Sequence, residues 1–258
     1  MRKVILRFKD PGRPVIADEI SPNIFQNKKI EQLKKLEVRV GNRKYSLEKF
    51  FTIEEEGEFT DLSDNVIIIE NSSFNLRRLG EKMEGGRMIV NGDAGLHLGA
   101  YMSGGEITVN GCVDDWCGAE MSGGLIHVLE NAESFLGANY IGSSEGMKGG
   151  VIKVDGDAKN FTGMRLTGGE ITVKGCCGCF LGYYMLGGQI TVKGSCGAET
   201  GSRMRGGVIN ILGSAEIGLG FIDAGLVHSV IDGVETAFKV FKGDVIEEGR
   251  GEIRILQS

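Results

Sequence analysis

Residues 99–111 read GAYMSGGEITVNG and residues 182–194 read GYYMLGGQITVKG. Each has a Gly-Gly pair, then five residues in which Ile and Val alternate with polar neighbours, then another glycine. Gly-Gly pairs recur at Gly85 and Gly86, Gly104 and Gly105, Gly123 and Gly124, Gly149 and Gly150, Gly168 and Gly169, Gly187 and Gly188, and Gly206 and Gly207. Their spacing is 19 residues, with one step of 26. A second series, Gly99, Gly118, Gly137, Gly163, Gly182, Gly201 and Gly220, keeps the same rhythm. The long step puts seven extra residues within 138–146 (ANYIGSSEG).

The other columns of this alignment are apolar. Met83, Met102, Met121, Met147, Met185 and Met204 open six of the seven units, and Leu166 opens the fifth. The sixth position runs Met88, Ile107, Ile126, Ile152, Ile171, Ile190, Ile209, and the eighth runs Val90, Val109, Val128, Val154, Val173, Val192, Ile211. Alternation with a period of two over a short run is the signature of a strand with one buried face. One strand per 19 residues and no 3.6-residue pattern exclude a helical repeat. The expected fold is all-β, a right-handed parallel β-helix of 19-residue coils with a small α+β N-terminal cap. Stacked coils place like residues about 4.8 Å apart. Each buried Ile or Val in such a ladder contributes roughly 1.5–3 kcal/mol over exposure. The glycines are structural: corners need positive φ or close backbone approach.

Three regions follow from this pattern. Residues 1–80 form an N-terminal α+β segment capping the stack, 81–231 the seven repeats with their insert at 138–146, and 232–258 a C-terminal cap. In the first region VILRF reads as a strand, NKKIEQLKKL (27–36) as a short amphipathic helix, and EVRV-GNRK-YSL as a hairpin turning at Gly41-Asn42. Residues 65–69 begin a degenerate coil, and TAFKVF and EIRIL are closing strands.

Composition narrows the function. The chain has 258 residues, 42 glycines and only 3 prolines, which argues against disorder. Its net charge of −6 argues against a nucleic-acid partner. The longest apolar run, Val66 to Ile69, is far short of a membrane span. The opening MRKVILRFKD, charged at Arg7 and Lys9, is read as carrying no signal stretch, so a cytoplasmic location is expected.

No catalytic, cofactor-binding or metal site emerges from the residues. His97, His127 and His228 fall at unrelated places in the coil. Cys176, Cys177 and Cys179 invite a metal reading, but Cys177 and Cys196 share one column with Ala94, Val113, Ala132, Ala158 and Ala215, which marks core filler. The CxxC pairs of a zinc or cluster site are missing. Partner contact is the better expectation for Asn139, Tyr140 and Ile141 in the insert, and for Leu125 and Leu129, which with Val208 and Leu212 take outward positions that are polar in most other units.

The unit G-x-x-M-x-G-G-x-I-x-V-x-G resembles the repeat shared by the C-terminal domain of the glutamate synthase large subunit and the C subunit of formylmethanofuran dehydrogenase. The segment SPNIFQNKKIEQLKKLEVRVGNRKYSLEKFF (21–51) and the insert GANYIGSSEGMKGG (137–150) resemble the second. That resemblance implies a right-handed parallel β-helix in a cytoplasmic, hetero-oligomeric oxidoreductase complex of methanogenesis. The complex reduces carbon dioxide and condenses the product with methanofuran, the first step from that gas. Its tungsto- or molybdopterin, iron–sulfur clusters and binuclear metal centre lie on pterin-binding, iron–sulfur and amidohydrolase subunits, with none on this chain. The chain's implied role is that of a non-catalytic scaffold. The alternatives are a stand-alone glutamate synthase domain and the C subunit of a formyltransferase/hydrolase complex.

Overall fold

A computed structural model describes residues 1–58, 61–231 and 233–257. The expected caps therefore include residues outside the described ones: Phe59 and Thr60 in the first, Asp232 and Ser258 at the bounds of the second. Where the sequence alternates Ile and Val with polar residues, short strands form, and each pairs in register with the strand that follows. Ile107 sits opposite Ile126, Ile126 opposite Ile152, Ile152 opposite Ile171, Ile171 opposite Ile190 and Ile190 opposite Ile209. All six are fully buried, as are Val109, Val128, Val154, Val173 and Val192 one pleat further on. A strand's side chains alternate between faces, so a slip of one residue would turn both columns into water.

The strands assemble into one 13-stranded sheet. From one edge its order is Phe51–Glu56, Arg2–Phe8, Asn65–Ser72, Arg87–Gly92, Glu106–Val109, Leu125–Val128, Val151–Val154, Glu170–Val173, Gln189–Val192, Val208–Ile211, Gly251–Leu256, Val234–Gly243 and Ile222–Ile231. Pairing is parallel through the middle and antiparallel at both ends. Beside it lie a parallel pair, Cys196–Thr200 with Ala215–Ile217, and a 4-stranded sheet of Arg43–Ser46, Glu37–Val40, Val15–Ile16 and Leu76–Arg77.

This arrangement corrects the expected right-handed parallel β-helix with its small α+β cap. The structure is mostly strand, but its architecture is a large mixed sheet. The physical reason lies in the length of the alternating run. In six of the seven units only four residues, such as Glu106–Val109, hold strand periodicity. The rest is turn and bend, joined to the next unit by single bridges such as Ala94 to Val113 and Ala158 to Cys177. Single bridges do not build further sheet faces. The N-terminal strand Arg2–Phe8 also lies inside the main sheet, parallel to Asn65–Ser72, because its own buried face (Val4, Leu6, Phe8) continues the apolar columns.

The helix expected over 27–36 contracts to Ile30–Leu33, with a second turn at Pro22–Phe25. Asn27 takes a left-handed φ of 60°, which breaks the helix before it can lengthen. Arg2, itself 2% exposed, holds this region: its guanidinium donates to the carbonyls of Phe25 (2.8 Å) and Lys28 (2.5 Å) and to Glu55 (2.6 Å). The hairpin turning at Gly41-Asn42 forms as expected, Val40 opposite Arg43. The outward strand position varies along the sheet. Lys153 is exposed, whereas Thr191 and Asn210 are buried.

The glycine pair has two distinct duties, seen at Gly104 and Gly105. A Cβ on Gly104 would fall 2.3 Å from the carbonyl oxygen of Glu84 in the preceding unit, so here backbone packs on backbone. Gly105 has a φ of 84°, a region side chains rarely enter, and its Cβ would meet Met83 Cε at 2.6 Å. Gly104→Ala should therefore lower the unfolding free energy by about 2–3 kcal/mol, because a backbone carbonyl cannot swing aside. Lys153→Ala should stay within about 0.5 kcal/mol. Urea midpoints of the two variants check this; similar losses would mean that the close approach is not a constraint.

Candidate interaction surface

The turns between strands carry a second set of columns. Two residues before the first five glycines of the Gly99 series stand His97, Trp116, Phe135, Phe161 and Phe180. All five have a left-handed backbone, φ from 59° to 68°. Such a conformation is costly for a bulky residue and needs support. Part of it comes from the backbone: each N–H donates to a carbonyl of the next unit, for example Trp116 to Ser134 (3.1 Å) and Phe161 to Cys179 (3.0 Å). The rings supply the rest by stacking. Trp116 and Phe135 lie 4.7 Å apart at 5°, Phe135 and Phe161 5.1 Å at 2°, and Phe161 and Phe180 4.9 Å at 4°. His97 continues the stack on Trp116 at 5.6 Å. The five rings are half-buried and form an apolar edge along the molecule.

Acidic and amide side chains lace the same turns. Asp115 accepts from the Ser134 N–H (2.8 Å) and Asn160 from the Cys179 N–H (2.8 Å). At another corner Asp93 accepts from the Cys112 N–H (2.9 Å), Asn131 from Asp157 (2.9 Å) and Asp157 from Cys176 (2.7 Å). These bonds satisfy N–H groups that the missing sheet faces would otherwise leave open.

The insert closes one end of the aromatic edge. Asn139 is buried and turned inward, donating to the carbonyls of Tyr140 (2.8 Å) and Ser143 (2.7 Å). Tyr140 packs on His97 at 5.4 Å and Tyr101 at 5.5 Å, and its hydroxyl lies 2.8 Å from His97 Nδ1. Ile141, at 95% exposure, projects into solvent. Of the strand residues expected to meet a partner, Leu125 is half-buried and Leu129 is exposed. The structure thus brings Asn139, Tyr140 and Ile141 together as a unit but gives them different surroundings. The aromatic column went unread in the sequence, although the 19-residue spacing that locates the glycines also carries it.

His97, Tyr140, Cys117 and Cys177 are driven toward their neutral forms. Burial, reinforced by Arg78 and Arg77, lowers His97 to about 4. Burial also raises Tyr140, so it remains the donor to a neutral imidazole. Burial raises Cys117 to about 12, and Cys177 is pushed up by its bond to Cys196 and by burial. Cys177 and Cys196 pair as neighbours in the Ala94 column, in keeping with core filling. Among the described residues, Asp93, Cys112 and Glu130 bring three potential ligand atoms within 4.8 Å, a grouping not read from the sequence. The Cys112 thiol is raised by burial and lies 3.3 Å from Glu130, arguing for a protonated donor there. Cys176, Cys177 and Cys179 make no such grouping among the described residues. His127 lies 3.1 Å from Asp155, which Lys174 also bonds at 2.9 Å, and His228 pairs with Glu235 on the exposed terminal hairpin. No helix among the described residues is long and apolar enough to cross a membrane.

These features define a β-rich chain with an extended, half-buried aromatic edge. Comparison with known proteins gives that class its particulars. The chain is similar to the C subunit of formylmethanofuran dehydrogenase, in both its tungsten and molybdenum forms. It is 36% identical over 100 residues to the C subunit of the tungsten-containing formylmethanofuran dehydrogenase 2 of Methanothermobacter wolfeii, covering 38% of this chain and 36% of that one. It is 39% identical over 95 residues to the C subunit of the molybdenum-containing formylmethanofuran dehydrogenase 1 of Methanothermobacter thermautotrophicus, 37% of this chain and 23% of that one. The chain thus spans about a third or less of the length of these curated relatives. No family model matches it. Its fold is shared with a chain in the crystal structure of the formyltransferase/hydrolase complex from Methylorubrum extorquens, solved with methylofuran. The TM-score is 0.88 at 24% identity, covering 98% of this chain and 100% of that one.

The state of His97 has a consequence for stability. The unfolded chain takes up this proton near pH 6.5 and the folded chain only near 4. The stabilisation is therefore complete above about pH 6.5 and is lost as pH falls toward 4. The thermal midpoint of the native chain should fall more steeply over that window than that of His97→Gln. Parallel curves would show that His97 is not held neutral.

Proposed function

We propose that this chain is a non-catalytic scaffold subunit of a cytoplasmic complex of the formylmethanofuran dehydrogenase type. In this reading it packs against catalytic subunits that reduce carbon dioxide and condense the product with methanofuran, and it helps set their relative position. The observation that carries the reading is the half-exposed aromatic edge from His97 to Phe180, continued by Tyr140 and the projecting Ile141. Contiguous apolar surface of this kind needs a cover. Ile141 and Leu129 are further contact points in this reading, with Tyr140 setting the pose of the insert. Two further facts support it: the named relatives are subunits of a complex, and the shifts on His97 and Cys117 favour inert, neutral groups over nucleophiles.

A second reading, the C subunit of a formyltransferase/hydrolase complex, has one observation in its favour. The chain matches the full length of the Methylorubrum extorquens chain, against about a third of its tungsten-containing dehydrogenase relative. The two readings separate on the partners recovered. The tagged chain, isolated from its own cells, should bring down an amidohydrolase together with a pterin-dependent subunit holding tungsten or molybdenum, measurable by elemental analysis. An amidohydrolase with a formyltransferase and no such metal would favour the second reading. Recovery of the chain by itself would overturn both.

A further inference from the structure

The aromatic edge ends abruptly. After Phe180 the next place in the column, 19 residues on, is Glu199, with the same left-handed backbone (φ 59°) but no ring. One face of Phe180 is stacked on Phe161; the other opens on a cavity of about 440 Å³. Tyr183 forms a side wall, edge-on to Phe180 at 5.6 Å. Leu219 and Ile246 form the rim and are 82% and 74% exposed. The last ring of the stack thus borders an open cavity, with Glu199 at the next column position and apolar side chains in water at the rim.

The charges around that place are unbalanced. Three carboxylates line it, Glu199, Asp244 and Glu247, against the single guanidinium of Arg203. Asp244 is buried and spends its oxygens on the backbone N–H groups of Arg203 (3.1 Å) and Ile246 (2.9 Å). Glu247 is engaged by Arg205 (2.7 Å) and approached by Arg203 (3.5 Å). Glu199 accepts from the Ser202 hydroxyl, and among the described residues no cation bonds it. A ligand that completes the stack and answers this charge carries a flat ring beside a positive group.

We propose that this slot is a docking point for a partner protein, which inserts an aromatic side chain against Phe180 and sets an adjacent Arg or Lys against Glu199. The ring completes the stack with the offset face-to-face geometry that aromatic pairs favour. A protein occupant is chosen over a small cation because only a larger surface also covers Leu219 and Ile246. The inference rests on the multi-subunit reading for the identity of the partner, but the slot's chemistry can be tested without it.

The first test is titration calorimetry of the full chain with capped tripeptides. Arg-Trp-Arg should bind saturably, and Arg-Ala-Arg and Glu-Trp-Glu at least about tenfold more weakly. Glu199→Lys, an exposed substitution that leaves the core intact, should weaken Arg-Trp-Arg by a similar factor. Equal binding of the three peptides, or no effect of Glu199→Lys, would overturn the proposal. So would tryptamine binding as tightly as the peptide, which would make the slot a small-molecule site. The second test compares the copurified assembly of the native chain with that of Leu219→Asp/Ile246→Asp. Loss of a partner from the double variant supports the docking point, and equal recovery overturns it. If the native chain itself brings down no assembly, the multi-subunit reading fails, while the peptide titration still decides the slot.

Discussion

The structure depends on in-register burial of like side chains between successive strands. No four-residue strand could stand by itself: a strand such as Glu106–Val109 buries only Ile107 and Val109. At roughly 1.5–3 kcal/mol each, two side chains do not offset the ordering of 19 residues at about 1 kcal/mol or more apiece. Stability is therefore collective. Ile126 is held because Ile107 and Ile152 flank it, and the same is true along the column to Ile253, which continues it from the C-terminal strand. At the ends the pairing turns antiparallel, so the ladder passes into hairpin-like closures in place of another parallel strand.

Close stacking then dictates the turns. Units a strand's spacing apart force backbone against backbone, which the first glycine permits in six of the seven pairs, and force left-handed corners, which the Gly99 series supplies. The same geometry is imposed on residues with side chains, His97, Trp116, Phe135, Phe161 and Phe180. Holding them left-handed at a fixed repeat distance sets the rings from Trp116 to Phe180 parallel about 5 Å apart, with His97 tilted at the end. The aromatic edge is thus a by-product of the stacking constraint and also the most distinctive surface the chain offers. Its electrostatics match: burial keeps His97 uncharged in the stack, and the carboxylates gather beyond Phe180, where the stack stops.

Much of the strand pattern was legible because it is local. The Ile and Val columns, the hairpin turning at Gly41-Asn42 and the Cys177–Cys196 neighbours follow from spacing and side-chain alternation. The architecture was less so. Regular spacing is compatible with several closures, and whether a turn segment becomes another sheet face depends on hydrogen bonds that Asp115, Asn131, Asp157 and Asn160 take up as side chains. The helix expected over 27–36 is cut short for a similar reason: Ile30, Leu33 and Leu36 have helical spacing, but the left-handed Asn27 and the pull of Arg2 on the Phe25 and Lys28 carbonyls favour turns. The grouping of Asp93, Cys112 and Glu130 spans neighbouring units and has no local signature.

By itself, the order of residues determined which side chains face inward, since alternation along a strand is covalent geometry, and which positions must be glycine, since only glycine lacks the atom that would collide. The tertiary structure decided how the strands close into a mixed sheet, that Asn139 turns inward while Ile141 turns out, and that five rings separated by 19 or 26 residues become one surface. Those outcomes depend on distances between atoms remote in the chain, and no local pattern encodes such distances until the units are stacked.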